Sequence, residues 1–246
     1  MNLLETEQLI NQVRDKLLEM QTITSCITLE MFQDSDEGPQ PMDPSELMST
    51  SYVEENTKLH ELWSEVQKIV PPGFSIDSNL LRHLSFNQAK DWHDISNSDI
   101  PRELIKIEEY KRRLALIDYM DSLHPEVKRV ASIVLDGDID AALKTVYASM
   151  DSRARSIVGA KGSESTVSLI GKAFNDRTLV PPNAQHKDSA RNFLQGVLGY
   201  YRSSIVHNPT PSHRNTVDAS LSLFGLAHEA FLLLDRCDQR SEVSKI

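Results

Sequence analysis

The sequence predicts an all-α protein with two parts, a mainly helical N-terminal region over residues 1–123 and a helical bundle over residues 124–246. Apolar residues recur at spacings of three and four through most of the 246 residues, which is the pattern of amphipathic helices. Prolines and glycines stand between these periodic segments and punctuate them. Acidic residues are concentrated in the first region, so the two parts also differ in charge.

In the first region, the stretch from Leu3 to Gln21 has a helical stripe of leucine, isoleucine and valine with charges between them, and it predicts a first amphipathic helix. Residues from Thr22 to Phe32 are rich in β-branched side chains, which fit either a short strand or a helix of poor propensity. Residues 33–44 are polar and rich in proline, and they predict a loop or linker.

Ser45 is placed to cap a second helix, whose apolar face continues to Val70. We expect the run Pro71-Pro72-Gly73 to end this helix, because proline cannot continue the hydrogen-bonding pattern. Further helices are predicted from Ser78 to Trp92 and from Pro101 to Leu123, where proline suits the first helical turn.

The second region begins at His124-Pro125 and reads as helices throughout. A helical hairpin is predicted first, with its turn at Asp136-Gly137-Asp138. The remaining predicted helices are a short one that carries Gly171 to Phe174, one from Ser189 to Ile205, and a long apolar one from Val217 to Cys237.

Net charge limits where a nucleic acid could bind. Residues 1–123 hold 11 Lys and Arg against 23 Asp and Glu, a balance of −12, whereas residues 124–246 hold 15 against 13, a balance of +2. Affinity for phosphate backbones comes mainly from Lys and Arg, so an RNA site must lie in the second region. The acidic region is either an ordinary solvated surface or a functional one: a sensor, an adaptor for a basic partner, or a mimic that screens the active face.

The composition favours a soluble cytoplasmic protein. No run of about eighteen apolar residues occurs, and the N-terminus is acidic where a signal peptide is basic and then apolar. Cys26 and Cys237 are isolated, without a CxxC motif or a Cys/His cluster at metal-ligand spacing. We therefore expect a reducing compartment, no membrane association, no zinc site and no cofactor.

The stretch from Gly196 to Pro209 contains the strongest functional signal, because Arg202 and His207 stand five residues apart at the end of an apolar helix. Arginine offers a permanent forked charge for a phosphate, and histidine can transfer a proton near neutral pH. Side chains five apart on an α-helix point away from each other, so the helix must end or bend between them. The alternative is an arginine in surface ion pairs and a histidine at a helix end. His228 is expected to be a satisfied histidine of the core or its edge.

Residues from about 124 to 236 resemble the Ymh-type family of abortive-infection-like bacterial proteins, which belongs to the HEPN superfamily. The order and spacing of several motifs carry this resemblance: His124-Pro125, the stretch from Leu135 to Ala142, Gly171 to Phe174, Gly196, and the Arg202-x4-His207 pair. HEPN proteins are helical bundles, and many are metal-independent ribonucleases that form one site across a homodimer.

The resemblance implies a role for each residue of the motif. Arg202 would bind the scissile phosphate, and His207 would take the proton of the ribose 2′-hydroxyl or protonate the leaving 5′-oxygen. Ser203 and Asn208 would be supporting polar groups, and Tyr201 would stack a base or else belong to the core. This chain departs from the family in having Ser203-Ser204 after the arginine, where relatives usually place Asn and Pro.

The implied function is an endoribonuclease that acts as a toxin or anti-phage effector. Its partners would be RNA, a second copy of the chain through the HEPN-like region, and an antitoxin or defence-system protein through residues 1–123. The alternatives are a HEPN-fold module that binds RNA or a nucleotide without catalysis, and a helical adaptor protein.

Overall fold

The computed structural model describes residues 2–33, 40–41, 50–86, 89–160, 164–181, 183–203 and 217–243. In this part of the chain the regular structure is helical, apart from one antiparallel pair of two-residue strands, β1 (Phe32–Gln33) and β2 (Gln40–Pro41). The first strand lies at the start of the stretch that the sequence predicts as a loop, residues 33–44, and the second strand lies within it. The all-α class is confirmed.

The chain divides into two compact units, Met1–Leu114 and Ala115–Ile246. The division falls inside a helix, Ile100–Asp121, and not at the predicted boundary, His124. The sequence places the boundary at the end of the helical pattern, whereas the last turns of this helix, with buried Leu116, Ile117 and Met120, belong to the second unit.

The first unit is built from five helices within the described residues: α1 (Leu3–Met31), α2 (Thr50–Ile69), α3 (Ser78–Phe86), α4 (Ala89–Asp94) and the first part of α5 (Ile100–Asp121). A π-wound turn, Ile95–Asp99, joins α4 to α5. Helix α1 packs against α2, α4 and the π turn. The core of this unit contains Ile10, Leu17, Leu59, Val66, Trp92 and Tyr110, each at most 1% exposed.

The β-branched stretch after Gln21 is helical and belongs to α1. Three threonine hydroxyls donate hydrogen bonds to the carbonyl four residues before: Thr22 to Leu18 at 3.0 Å, Thr24 to Met20 at 2.9 Å, and Thr28 to Thr24 at 2.7 Å. These bonds satisfy the hydroxyls without interrupting the helix. Packing of this side of α1 therefore outweighs the low helix propensity of threonine.

The predicted end of the second helix is confirmed. Helix α2 stops at Ile69, directly before Pro71-Pro72-Gly73, and Gly73 adopts a positive φ of 78° that favours glycine. Ser45, the residue predicted to cap α2, lies outside the described residues. Two buried carboxylates, one in the π turn and one in α5, hold α3 in place. Asp99 pairs with Nδ1 of His83 at 2.5 Å, and Glu103 accepts the backbone N–H of Asp77, just before α3, at 3.0 Å.

The second unit begins with the last turns of α5. In the described residues it continues with α6 (Pro125–Lys128), α7 (Ala131–Leu135), α8 (Ile139–Val158), α9 (Thr166–Asn175), α10 (Lys187–Tyr201) and α11 (Val217–Val243). A short 3₁₀ turn, Ala184–His186, precedes α10. Helix α8 is central, because it contacts α6, α7, α9, α10 and α11. Its buried residues are Ile139, Ala142, Leu143, Val146, Met150 and Ala154.

The predicted hairpin of α7 and α8 is present. Gly137 takes a positive φ of 90° in the turn, and the side chain of Asp138 accepts the N–H of Ala141 at 2.9 Å, which caps α8. At the other end of α8, Gly159 closes the helix in the left-handed conformation. The turn chemistry that the sequence shows at Asp136 to Asp138 thus sets the start of the central helix.

Candidate functional site

Helix α10 brings Arg202 to the surface of the second unit. Its apolar stripe faces the core through Ala190, Leu194, Val197, Leu198 and Tyr201. The α-winding ends at Tyr201, and Arg202 and Ser203 are both exposed at the beginning of a π-wound turn. The two other residues predicted for this site, His207 and Asn208, lie outside the described residues.

The change of winding at Arg202 bears on the five-residue spacing of the motif. In an α-helix, residues five apart point some 140° away from each other. The sequence requires the helix to end or bend after Arg202. In the described residues the α-winding already ends just before it, at Tyr201.

Tyr201 is a core residue and does not offer a surface for stacking a base. Its side chain is 0% exposed, and its hydroxyl donates a hydrogen bond to the carbonyl of Leu223 in α11. Burial, and next the neighbouring Tyr200, raise the pKa of Tyr201. A ring enclosed by protein cannot contact RNA, so the substrate-binding role expected from the resemblance is wrong for Tyr201 and the alternative, a core side chain, holds. Tyr200 is 45% exposed.

A cluster of α8 side chains lies beside Tyr201, the residue before Arg202. The ring of Tyr147 stacks on that of Tyr201, with centroids 6.2 Å apart and planes at 14°. One turn further along α8, Asp151 accepts a hydrogen bond from Nε of Arg155 at 2.7 Å and another from the hydroxyl of Thr166. Arg155 also donates to the carbonyl of Glu164 at 2.8 Å, so its guanidinium is fixed on both sides.

Asp151, Arg155 and Arg202 all act on the pKa of Tyr147. Burial raises this pKa most, and Asp151 raises it further, whereas Arg202 and then Arg155 lower it. Arg202 is therefore within electrostatic reach of the Tyr147 hydroxyl, together with a second guanidinium. Two guanidiniums and a hydroxyl are donors suited to a phosphate group, because arginine binds phosphate in a forked geometry.

The sequence analysis did not single out Tyr147, Asp151 or Arg155. They follow one another at intervals of four, which places them on one side of α8. That spacing was a visible signal, but nothing in the sequence linked it to Arg202, since more than forty positions separate Arg155 from Arg202.

Comparison of the chain with protein-family models, with curated proteins and with solved structures gave no match. In the described ranges, no group of three or more His, Cys, Asp and Glu side chains is arranged to hold a metal ion. Among the same residues, no helix combines the length and the apolar character that crossing a membrane requires.

Two further histidines of the second unit have structural partners. His124 caps α6 by accepting the N–H of Glu126 on Nδ1 at 3.2 Å, so Nε2 carries the proton that it shares with Asp235 at 3.0 Å. The backbone N–H of His124 donates to Nδ1 of His228 at 2.9 Å. His228 is thus a satisfied histidine at the edge of the core, as the sequence predicts.

Proposed function

We propose that this chain is a metal-independent endoribonuclease of the HEPN type that acts in the cytoplasm as a toxin or anti-phage effector. The observation that carries the proposal is the position of Arg202, which is exposed at the end of α10 and acts electrostatically on the same tyrosine as Arg155. Positive charge at this place suits an RNA phosphate, and the surrounding region is the one with a net positive balance.

Each residue of the motif has a defined task in this proposal. Arg202 binds the scissile phosphate and stabilises the charge that it gains in the transition state. His207 removes the proton of the ribose 2′-hydroxyl, whose oxygen then attacks phosphorus. The bond to the 5′-oxygen breaks, that oxygen receives a proton, and the products are a 2′,3′-cyclic phosphate and a 5′-hydroxyl. Ser203 and Asn208 supply supporting hydrogen bonds.

The reaction needs both a base and an acid, whereas one Arg–His pair supplies one strong proton-transfer group. A homodimer that joins two pairs at a two-fold axis provides both, so we propose that the active form is a dimer of the HEPN-like region. The acidic first region is proposed to bind an antitoxin or another defence protein with a basic surface.

The test uses purified full-length protein and total RNA in the presence of EDTA. We expect the wild type to cleave RNA and to leave 2′,3′-cyclic phosphate ends. Arg202→Ala and His207→Ala should each reduce the rate by roughly 10²- to 10⁴-fold. In parallel, induced expression should arrest growth for the wild type and not for either variant.

Matched controls remove an arginine and a histidine from the same part of the chain. Arg191→Ala changes an arginine of α10 that pairs with Asp188 at 3.3 Å, and His186→Ala changes an exposed histidine just before α10. Both should cleave RNA as the wild type does. Cleavage that survives His207→Ala would show that the assigned base is wrong.

The second candidate is a module that binds RNA or a nucleotide without cleaving it. The donor set of Arg202, Arg155 and Tyr147 favours it, because those groups can hold a phosphate without a proton-transfer group. It is the correct reading if the wild type binds RNA, if Arg202→Ala weakens binding, and if no cleavage occurs. An absence of both binding and cleavage at low salt would contradict both candidates and favour the adaptor.

A further inference from the structure

A groove lies on the other side of α8 from Tyr147, Asp151 and Arg155. Its volume is about 350 Å³, and α8 contributes Ser149, Ser152, Arg153 and Ser156 to its lining. At about 100° per residue, the three serines share one side of the helix, roughly opposite the side that faces Arg202. The groove is therefore separate from the site proposed for RNA cleavage.

Hydrogen-bond donors dominate the polar lining. Besides the serine hydroxyls, the groove has two guanidiniums, those of Arg153 and of Arg129 just after α6. Each guanidinium has five N–H donors and no acceptor. The side chain of Arg129 is 73% exposed and donates to Glu126 at 2.9 Å, so its charge sits at the rim and in reach of a ligand.

The nearby carboxylates are engaged by the protein itself. Glu126 accepts the hydroxyl of Ser149 at 2.6 Å and the guanidinium of Arg129. The Ser149 bond is the main cause that lowers the pKa of Glu126, and Arg129 lowers it too, while burial raises it. Asp235 accepts from His124 and from Arg153, the latter at 3.1 Å. A ligand entering the groove thus meets donors, while these acceptors already have partners.

One wall of the groove is the imidazole of His124, which covers the buried ring of Phe231. The rings of His124 and Phe231 are stacked with centroids 4.7 Å apart and planes at 8°, and both residues line the cavity. Small-molecule sites typically have ~300–1,000 Å³ and combine an apolar wall with a few placed polar groups. This groove has the size and composition for one phosphorylated unit and is too small for a nucleic-acid duplex.

We propose that this groove binds a phosphate monoester, with the phosphate on Arg129 and on the exposed hydroxyls of Ser152 and Ser156, and with the remainder of the ligand against the imidazole of His124. A terminal phosphate can come from a free mononucleotide or from the 5′ end of an RNA strand. The proposal does not depend on ribonuclease activity, because neither Arg202 nor His207 takes part in it.

The test measures binding to the full-length protein by calorimetry at low salt. The probes are inorganic phosphate, adenosine 5′-monophosphate, and one 2′-O-methyl oligonucleotide prepared with either a 5′-phosphate or a 5′-hydroxyl end. The 2′-O-methyl groups prevent attack by the 2′-oxygen, so cleavage cannot interfere. We expect adenosine monophosphate or the 5′-phosphorylated strand to bind, and the one that binds more tightly identifies the source of the phosphate.

Two variants address the groove, and two others serve as controls. Arg129→Gln should weaken binding by roughly 10- to 100-fold, because a hydrogen bond to a charged group is lost. Ser152→Glu places a negative charge at an exposed position of the serine row and should abolish binding. Arg236→Gln, which changes an exposed arginine of α11, and Arg191→Gln, which changes an arginine of α10, both lie outside the groove and should bind as the wild type does.

Three results would overturn the proposal. The first is an absence of saturable binding of every phosphate-bearing probe up to ~1 mM. The second is that adenosine 5′-monophosphate does not bind and that the 5′-phosphorylated and 5′-hydroxyl strands bind with equal affinity, which would show binding to backbone diesters. The third is binding of adenosine 5′-monophosphate or a preference for the 5′-phosphate end that survives both Arg129→Gln and Ser152→Glu, or that is lost in Arg236→Gln or Arg191→Gln, which would place the ligand elsewhere. Failure of RNA cleavage leaves all of these results unchanged.

Discussion

Two adjacent tyrosines at the end of α10 offer a direct test of how this helix is packed. Tyr201 is 0% exposed and Tyr200 is 45% exposed. Truncation of a fully buried aromatic side chain costs about 3–5 kcal/mol of folding free energy, because both the transfer energy and the packing are lost. We expect Tyr201→Ala to fall in that range.

The matched variant, Tyr200→Ala, should cost less than about 1 kcal/mol. It loses half-exposed surface and an edge-to-face contact with Tyr201, whose ring centroid is 6.4 Å away. Such a contact contributes about 0.5–1.5 kcal/mol when both rings are buried. Tyr201→Phe keeps the ring and removes only the hydroxyl that donates to the carbonyl of Leu223, so it should cost about 0.5–1.5 kcal/mol.

Urea denaturation of the three full-length variants, followed by circular dichroism, measures these differences through the transition midpoints. The reasoning is refuted if Tyr201→Ala and Tyr200→Ala shift the transition equally. It is also refuted if Tyr201→Ala leaves the transition in place and weakens RNA binding, since that would return Tyr201 to the surface as a base-stacking residue.

Three further predictions concern the second unit. Stability should fall above pH about 10, because burial raises the pKa of Tyr201 and of Tyr147, so that the unfolded chain loses these protons first. Tyr201 should contribute a slope of at most about 1.4 kcal/mol per pH unit and Tyr147 a smaller one, so Tyr201→Phe should flatten the decline in an alkaline titration of the urea midpoint. Gly196→Ala should raise stability by about 0.5–1 kcal/mol, since a Cβ at this helical position meets no atom within 4 Å. Gly171→Ala should raise stability less, because its Cβ would lie 2.7 Å from Nε2 of Gln195 and would displace the hydrogen bond from that atom to the carbonyl of Val167. Equal increases in the thermal midpoint for the two variants would contradict this account. Asp235→Ala should cost about 1–2 kcal/mol by removing the partner of His124 and Arg153, whereas Glu229→Ala, at a more exposed carboxylate of the same helix, should stay within about 0.5 kcal/mol.

Several helix ends could be predicted from the sequence because local chemistry determines them. Pro71-Pro72-Gly73 follows the last residue of α2, and Asp138 caps α8 where the turn signal stands. The stretch from Thr22 to Phe32 was ambiguous, since its propensity favours a strand. Packing of α1 against α2 and α4, together with the hydroxyl bonds of Thr22, Thr24 and Thr28, decides for a helix through Met31, and a single sequence does not contain that information.

The candidate site was predictable only at the end of α10. Arg202 is exposed there, and Tyr147, whose pKa it lowers, belongs to α8. Whether Tyr201 faces the core or the solvent depends on where α11 lies, because the carbonyl of Leu223 is its partner. The phosphate-binding role of Arg202 stays a prediction from residue type, whereas the burial of Tyr201 required the fold.

Helix α8 carries Tyr147, Asp151 and Arg155 on one side and the serine row of the groove on the other, and its core side is packed against α11. Close-packed interiors transmit strain, so a ligand that shifted α8 would act on the side chains of both its sides. Binding free energies are reciprocal: if occupation of the groove tightens RNA binding at Arg202 by some factor, RNA must tighten the groove's affinity by that factor. If a phosphate monoester binds in the groove and RNA binds at Arg202, any coupling between their binding free energies would pass through α8 without contact between the two ligands.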